Sequence, residues 1–128
     1  MSLLVLSVVK RALLALRALS IAETETFGIL RMIVNDENAA EKVLAENGHL
    51  IKVIDVIGVK IGDQPGKLTE ALRVLGEASI NVEYLYAFMS RTEKHAYVVL
   101  RVEENEKAEE ALVSAGFKMI TEADINKL

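Results

Sequence analysis

One pattern occurs twice in this chain. Residues 18–49, "ALSIAETETFGILRMIVNDENAAEKVLAENGH", and residues 84–117, "YLYAFMSRTEKHAYVVLRVEENEKAEEALVSAGF", follow the same plan. Each gives a short apolar strand, a polar turn, a second apolar strand, an acidic residue, a helix and a glycine. Ala40, Val43 and Leu44 of the first helix match Ala108, Ala111 and Leu112 of the second, and Gly48 matches Gly116. In both helices apolar residues recur at i, i+3 and i+4 with charges between them, the spacing that builds one apolar face. Asp36 and Glu104 put negative charge just ahead of the helix starts, where it caps free N–H groups or meets the positive end of the dipole. The glycines stand where a left-handed C′ residue ends a helix.

The second copy extends upstream. Residues 56–61 alternate apolar with smaller or polar side chains and predict a strand. Leu68, Ala71, Leu72 and Leu75 form a helical stripe over residues 67–78. Ser79, Ile80 and Asn81 make a turn into a strand over 82–88, which pairs with 95–102 across the polar "SRTEK". Residues 117–120 supply a last strand. The order β-α-β-β-α-β is the ferredoxin-like split βαβ arrangement. Residues 50–54 predict the last strand of the first copy, with only Asp55 before the next strand. The expectation is therefore an α+β chain of two ferredoxin-like βαββαβ units, 1–54 and 55–128.

The first unit is short of chain. Before Ala18 it has about 17 residues for a strand and a helix, on which the second copy spends about 27. A strand over residues 3–9 rises about 23 Å at roughly 3.3 Å per residue. A helix over the remaining residues 10–17 returns only about 12 Å at 1.5 Å per residue. That does not bring the chain back for a parallel neighbour. Either the first unit is short by nature, or a loop and part of a helix are missing from it; the second is the expectation.

Composition narrows the function. Apolar residues are 52% and charged residues 27%, enough to bury a core and stay soluble, while aromatics are only 5%, so the core is aliphatic. The net charge is −4 and no basic stripe forms, which argues against nucleic acid. With no cysteine there are no disulfides, thiolate nucleophiles or cysteine metal sites, and a reducing, cytoplasmic setting is compatible. The apolar opening "MSLLVLSVVKRALLALRALSIAE" is broken by Lys10, Arg11 and Arg17, which is costly at a bilayer centre. A signal peptide carries its positive charge before the apolar region, so this segment is expected to form core rather than meet a membrane.

The stretch "GDQPGKL", residues 62–68, holds the only proline. A free amino acid presents a carboxylate and an ammonium group close together. A helix N-terminus offers unpaired N–H groups and partial positive charge to the first. Gly66 lets backbone approach a ligand, Pro65 fixes φ and preorganises the loop, Asp63 is an acceptor for an ammonium, and Asn81 both donates and accepts. The plainer alternative stays open. Pro-Gly is ordinary turn punctuation, Asp63 or Gln64 is a candidate helix cap, and Asn81 a turn residue.

The segment "VIGVKIGDQPGKLTEALRVLGEASINVEYLYAF" resembles an ACT domain, the small ligand-binding module of amino-acid metabolism. The likeness lies in the strand, the D-x-P-G-x-L loop, the helix and the "INV" opening the next strand. "ALSIAETETFGILRMIV" resembles the second and third strands of another such unit, and the whole chain is similar to free-standing tandem ACT proteins. The resemblance implies units packed side by side, a homodimer, a partner enzyme that receives the signal, and a non-catalytic sensor with no cofactor and no metal. It implies that an amino acid binds where units meet. The residues it carries over are Asp63, Gln64, Pro65, Gly66, Lys67, Leu68, Asn81 and Val82. Some members have a polar side chain two residues before the position of Asp63; here it is Ile61. The competing readings are a regulatory subunit of an enzyme such as acetolactate synthase and a small ferredoxin-like enzyme using Asp63 or a histidine.

Other residues offer less. His49 and His95, the only histidines, have no second ligand at metal spacing. No glycine elbow, P-loop or dinucleotide fingerprint appears. Tyr84 and Tyr86 flank Leu85 and share one sheet face, where packing beneath a helix is expected over lining a cleft. The acidic "VEENEKAEEA" predicts a solvated helix face. Gly28 in "FGIL" marks a bulge or a close approach.

Overall fold

The computed structural model describes residues 16–23, 28–34, 36–89, 95–121 and 124. The chain divides into two compact units, Met1–Ile54 and Asp55–Leu128. In the first, β1 (Leu16–Glu23) and β2 (Gly28–Val34) form an antiparallel hairpin, followed by α1 (Glu37–Glu46). These are the second strand, third strand and second helix of the expected plan. β1 begins at Leu16, so Leu16 and Arg17 belong to a strand and not to the preceding segment assigned to a helix. The strand and helix expected over residues 3–15 lie outside the described residues.

The second unit has all six elements: β3 (Ile57–Gly62), α2 (Lys67–Glu77), β4 (Val82–Met89), β5 (Ala96–Val102), α3 (Asn105–Ser114) and β6 (Lys118–Ile120). The strands form one antiparallel sheet in the order β4-β5-β3-β6. This is the split βαβ topology, because β5 lies between the strands that α2 connects. β5 is apolar along nearly its whole length because it is central and both its faces are covered. Val98, Leu100 and Val102 meet α2 and α3, and Tyr97 and Val99 on the other face are equally buried. Ile57 and Val59 of β3, Ala71 and Leu75 of α2, and Ala108 and Leu112 of α3 complete an aliphatic core. A fully buried Leu such as Leu75 or Leu112 contributes about 1.5–3 kcal/mol by leaving water.

Among the described residues the three helices stop in the same way. The second residue after the helix turns left-handed, with φ of +79° at Gly48, +59° at Ser79 and +93° at Gly116. The next N–H then reaches back to the last turn: His49 to Leu44 O (3.1 Å), Ile80 to Leu75 O (2.9 Å) and Phe117 to Leu112 O (3.0 Å). The starts differ. The Asp36 carboxylate accepts from the Ala39 N–H at 3.1 Å, whereas Glu104 makes no cap bond and instead faces Lys107 at 3.7 Å.

The repeat extends to its irregularities. β1 slips register between Leu16 and Ala18, and β4 slips between Val82 and Tyr84, so Arg17 and Glu83 are bulged residues at the same place in the two units. Gly28 is not a bulge: it pairs with Glu23 in regular register.

Two expectations fail. Residues 50–54 form no strand, and Leu50, Ile51 and Val53 are exposed. A strand exists only through hydrogen bonds to a neighbour, and the expected neighbour over residues 3–9 lies outside the described residues. Tyr84 and Tyr86 do not pack beneath α2 or α3. Leu85 is the residue that faces those helices; the tyrosines pair with Arg101 and Val99 on the opposite face. There Tyr84 lies against Tyr86 and Phe88 stacks on Tyr97, with ring centroids 6.5 Å and 5.6 Å apart. One sequence signal was missed. Thr121 and Asp124 form a reciprocal capping box: Asp124 Oδ2 accepts from the Thr121 N–H (2.9 Å) and Thr121 Oγ1 from the Asp124 N–H (3.2 Å).

Candidate functional site

β3 ends at Gly62, which takes φ +82° after a register slip at Ile61. The chain then crosses Asp63, Gln64, Pro65 and Gly66, all exposed, and enters α2 at Lys67. Gly66 is the N-cap residue at φ +85°, a conformation L side chains resist. A Cβ placed on it would meet nothing within 4 Å, so the glycine is required by backbone geometry and the space above it is open.

With glycine at the cap, no side chain caps α2. The first intrahelical bond runs from Glu70 N–H to Gly66 O at 3.0 Å, so the N–H groups of Lys67, Leu68 and Thr69 have no partner within the helix. The alternative in which Asp63 or Gln64 caps the helix is not what the chain does. Lys67 is half-buried and its ammonium meets Glu70 Oε2 at 3.2 Å, which leaves the loop's charge to Asp63 and the helix end. Leu68 packs on the core and fixes the first turn of α2 beneath the loop.

The structure brings Asp63, Gln64, Pro65, Gly66, Lys67 and Leu68 together. It does not bring Asn81 and Val82 to them. Gly62 and Met89 both pair with Ala96, at one end of the sheet, while Val82 pairs with Val102 at the other. From Ala96 to Val102 the sheet extends about 20 Å at roughly 3.3 Å per residue. The separation follows from topology: β3, α2 and β4 form a parallel crossover, so the end of β3 and the start of β4 lie at opposite edges. One amino acid cannot touch Asp63 and Asn81 of the same unit.

Of the other candidates, His95 directly precedes Ala96 of β5, the partner of Gly62, and so stands at the loop's end of the sheet, while His49 follows α1 and belongs to the first unit. Among the described residues no cluster of His, Asp or Glu fits a metal ion, and no helix is long and apolar enough to cross a membrane.

The model of the family described as an ACT domain pair matches residues 1–128, and the chain belongs to that family. ACT domains are regulatory, ligand-binding and non-catalytic modules. Among solved structures, the crystal structure of protein BT0572 from Bacteroides thetaiotaomicron is similar, with a TM-score of 0.90 and 33% identity. The match covers 100% of this chain and 88% of that one. No curated protein matches the sequence.

Proposed function

We propose that the second unit binds a free amino acid at the loop from Gly62 to Leu68, as a regulatory sensor in the cytoplasm. The carboxylate accepts hydrogen bonds from the N–H groups that open α2, and Asp63 meets the ammonium group. The observation carrying this reading is the helix start itself: N–H groups without a cap, beneath an exposed loop held open by Gly66. Charge-assisted bonds to such groups are about twice as strong as neutral ones.

The position of Asn81 adds a condition. If Asp63 and Asn81 serve one ligand, they come from different units. The first unit offers neither partner. It has no counterpart of the loop, and the repeat aligns Asn81 with Ala15. The complementary Asn81 then belongs to the second unit of another chain, in a homodimer with two equivalent sites.

The test is thermal denaturation with each of the twenty common L-amino acids in turn. A ligand at a hundredfold excess over its Kd adds about 2.7 kcal/mol to stability, a rise of several degrees in Tm. At least one amino acid should give that rise, and Asp63→Ala and Asn81→Ala should each abolish it without lowering the ligand-free Tm. No response to any of the twenty, or a response indifferent to Asp63→Ala, contradicts the proposal. Co-purification with a large enzyme and no amino-acid response would point to the subunit reading.

A further inference from the structure

The chain enters the second unit at Asp55, and this residue is held by its backbone carbonyl. Arg101 of β5 donates from Nη1 to Asp55 O at 3.0 Å, and Asn105, the first residue of α3, donates from Nδ2 at 3.4 Å. The same guanidinium forms an ion pair with Glu83, with Nε 3.3 Å from Oε2. Glu83 is the bulged residue of β4. A bulge re-aims the side chain it carries, and here it turns the Glu83 carboxylate to the arginine directly across the pair.

Each link lies at the same end of the sheet. Val82 pairs with Val102, and Ile57 with Leu100, so the start of β4, the end of β5 and the residues preceding β3 share one edge. Asn81 stands two residues before Glu83. The fixed fork of a guanidinium holds two acceptors at once in set directions, which a lysine ammonium on a flexible stem does not.

We infer that Arg101 is a positioning residue that ties the start of β4 to the point where the chain enters the second unit. Engagement of Asn81 draws on the bulge at Glu83, and Arg101 passes that change to the Asp55 peptide. The ligand-dependent half rests on the amino-acid reading above. The tie itself does not, because the chain's own residues make it. At the matching positions of the first unit the sequence has Arg17 in place of Glu83 and Ile33 in place of Arg101.

The experiment is amide hydrogen exchange by mass spectrometry on the full chain, comparing wild type with Arg101→Ala, Arg101→Lys and Glu83→Gln. In ligand-free protein, Arg101→Ala should speed exchange over residues 54–58 by roughly tenfold, the effect of losing a charge-assisted bond. Exchange in α2 should stay within twofold of wild type. Arg101→Lys should fall with Arg101→Ala, and Glu83→Gln should give a smaller acceleration. Exchange over 54–58 unchanged in Arg101→Ala, or restored by Arg101→Lys, overturns the inference. If Arg101→Ala fails to fold, Arg101→Lys and Glu83→Gln decide it alone. With whichever of the twenty L-amino acids raises the wild-type Tm, wild type should slow exchange at 62–68 and at 54–58, while Arg101→Lys keeps only the former. Slowing at both segments in Arg101→Lys refutes the coupling. A wild type that responds to no amino acid refutes the binding reading and leaves the ligand-free comparison to judge the tie.

Discussion

Gly66 and Gly76 sit ten positions apart at the two ends of α2, and a Cβ on either meets nothing within 4 Å. Packing therefore predicts the same result for replacing each by alanine, and backbone geometry predicts opposite results. Gly66 is at φ +85°, where an L side chain costs about 1–2 kcal/mol; the lower unfolded-state entropy of alanine returns about 0.4–1 kcal/mol. Gly66→Ala should therefore destabilise by about 1 kcal/mol. Gly76 is inside the helix at ordinary φ, and Gly76→Ala should stabilise by about 0.5–1 kcal/mol. The two variants should differ by about 2 kcal/mol, near 8 °C in Tm for a domain of this size. Chemical denaturation read by circular dichroism measures both, with the slope m unchanged. If both variants shift in the same direction, the left-handed cap at Gly66 is wrong, and the open helix start beneath the proposed ligand falls with it.

Leu100 is 1% exposed in the middle of β5, and Leu100→Ala should cost about 2–5 kcal/mol in the same assay. The two repeat helices should differ at their starts. Asp36→Ala removes a cap bond and should cost about 1 kcal/mol, whereas Glu104→Ala removes only an exposed ion pair and should stay within about 0.5 kcal/mol of wild type.

The second unit was legible because its signals are local. Leu68, Ala71, Leu72 and Leu75 mark α2 by spacing alone, and Gly116 ends α3 because a left-handed residue is needed there. Ser79 fills the same role in α2 without a glycine to announce it. Residues 50–54 have the composition of a strand, yet strand state depends on a neighbour's hydrogen bonds and is not written in the segment. The side on which Tyr84 and Tyr86 lie depended on which face the helices cover, and Leu85 decided that through the core it joins. The candidate site was half legible. The structure keeps Asp63 to Lys67 together at the start of α2, with Leu68 packed on the core. Asn81 lies at the opposite end of the same sheet, where the parallel crossover sends it. The bond from Arg101 to Asp55 spans 46 positions and has no local signature.

The central claim, an amino acid held between the loop of one chain and Asn81 of another, is tested most directly by mixing two defective proteins. Asp63→Ala and Asn81→Ala chains are each titrated calorimetrically with the amino acid that raises the wild-type Tm, then mixed in equal amounts, exchanged through mild denaturant and titrated again. Random pairing makes about half the dimers mixed, each with one intact site, so binding should return at about a quarter of wild-type capacity and wild-type affinity. A mixture as inactive as its two components would contradict the shared site.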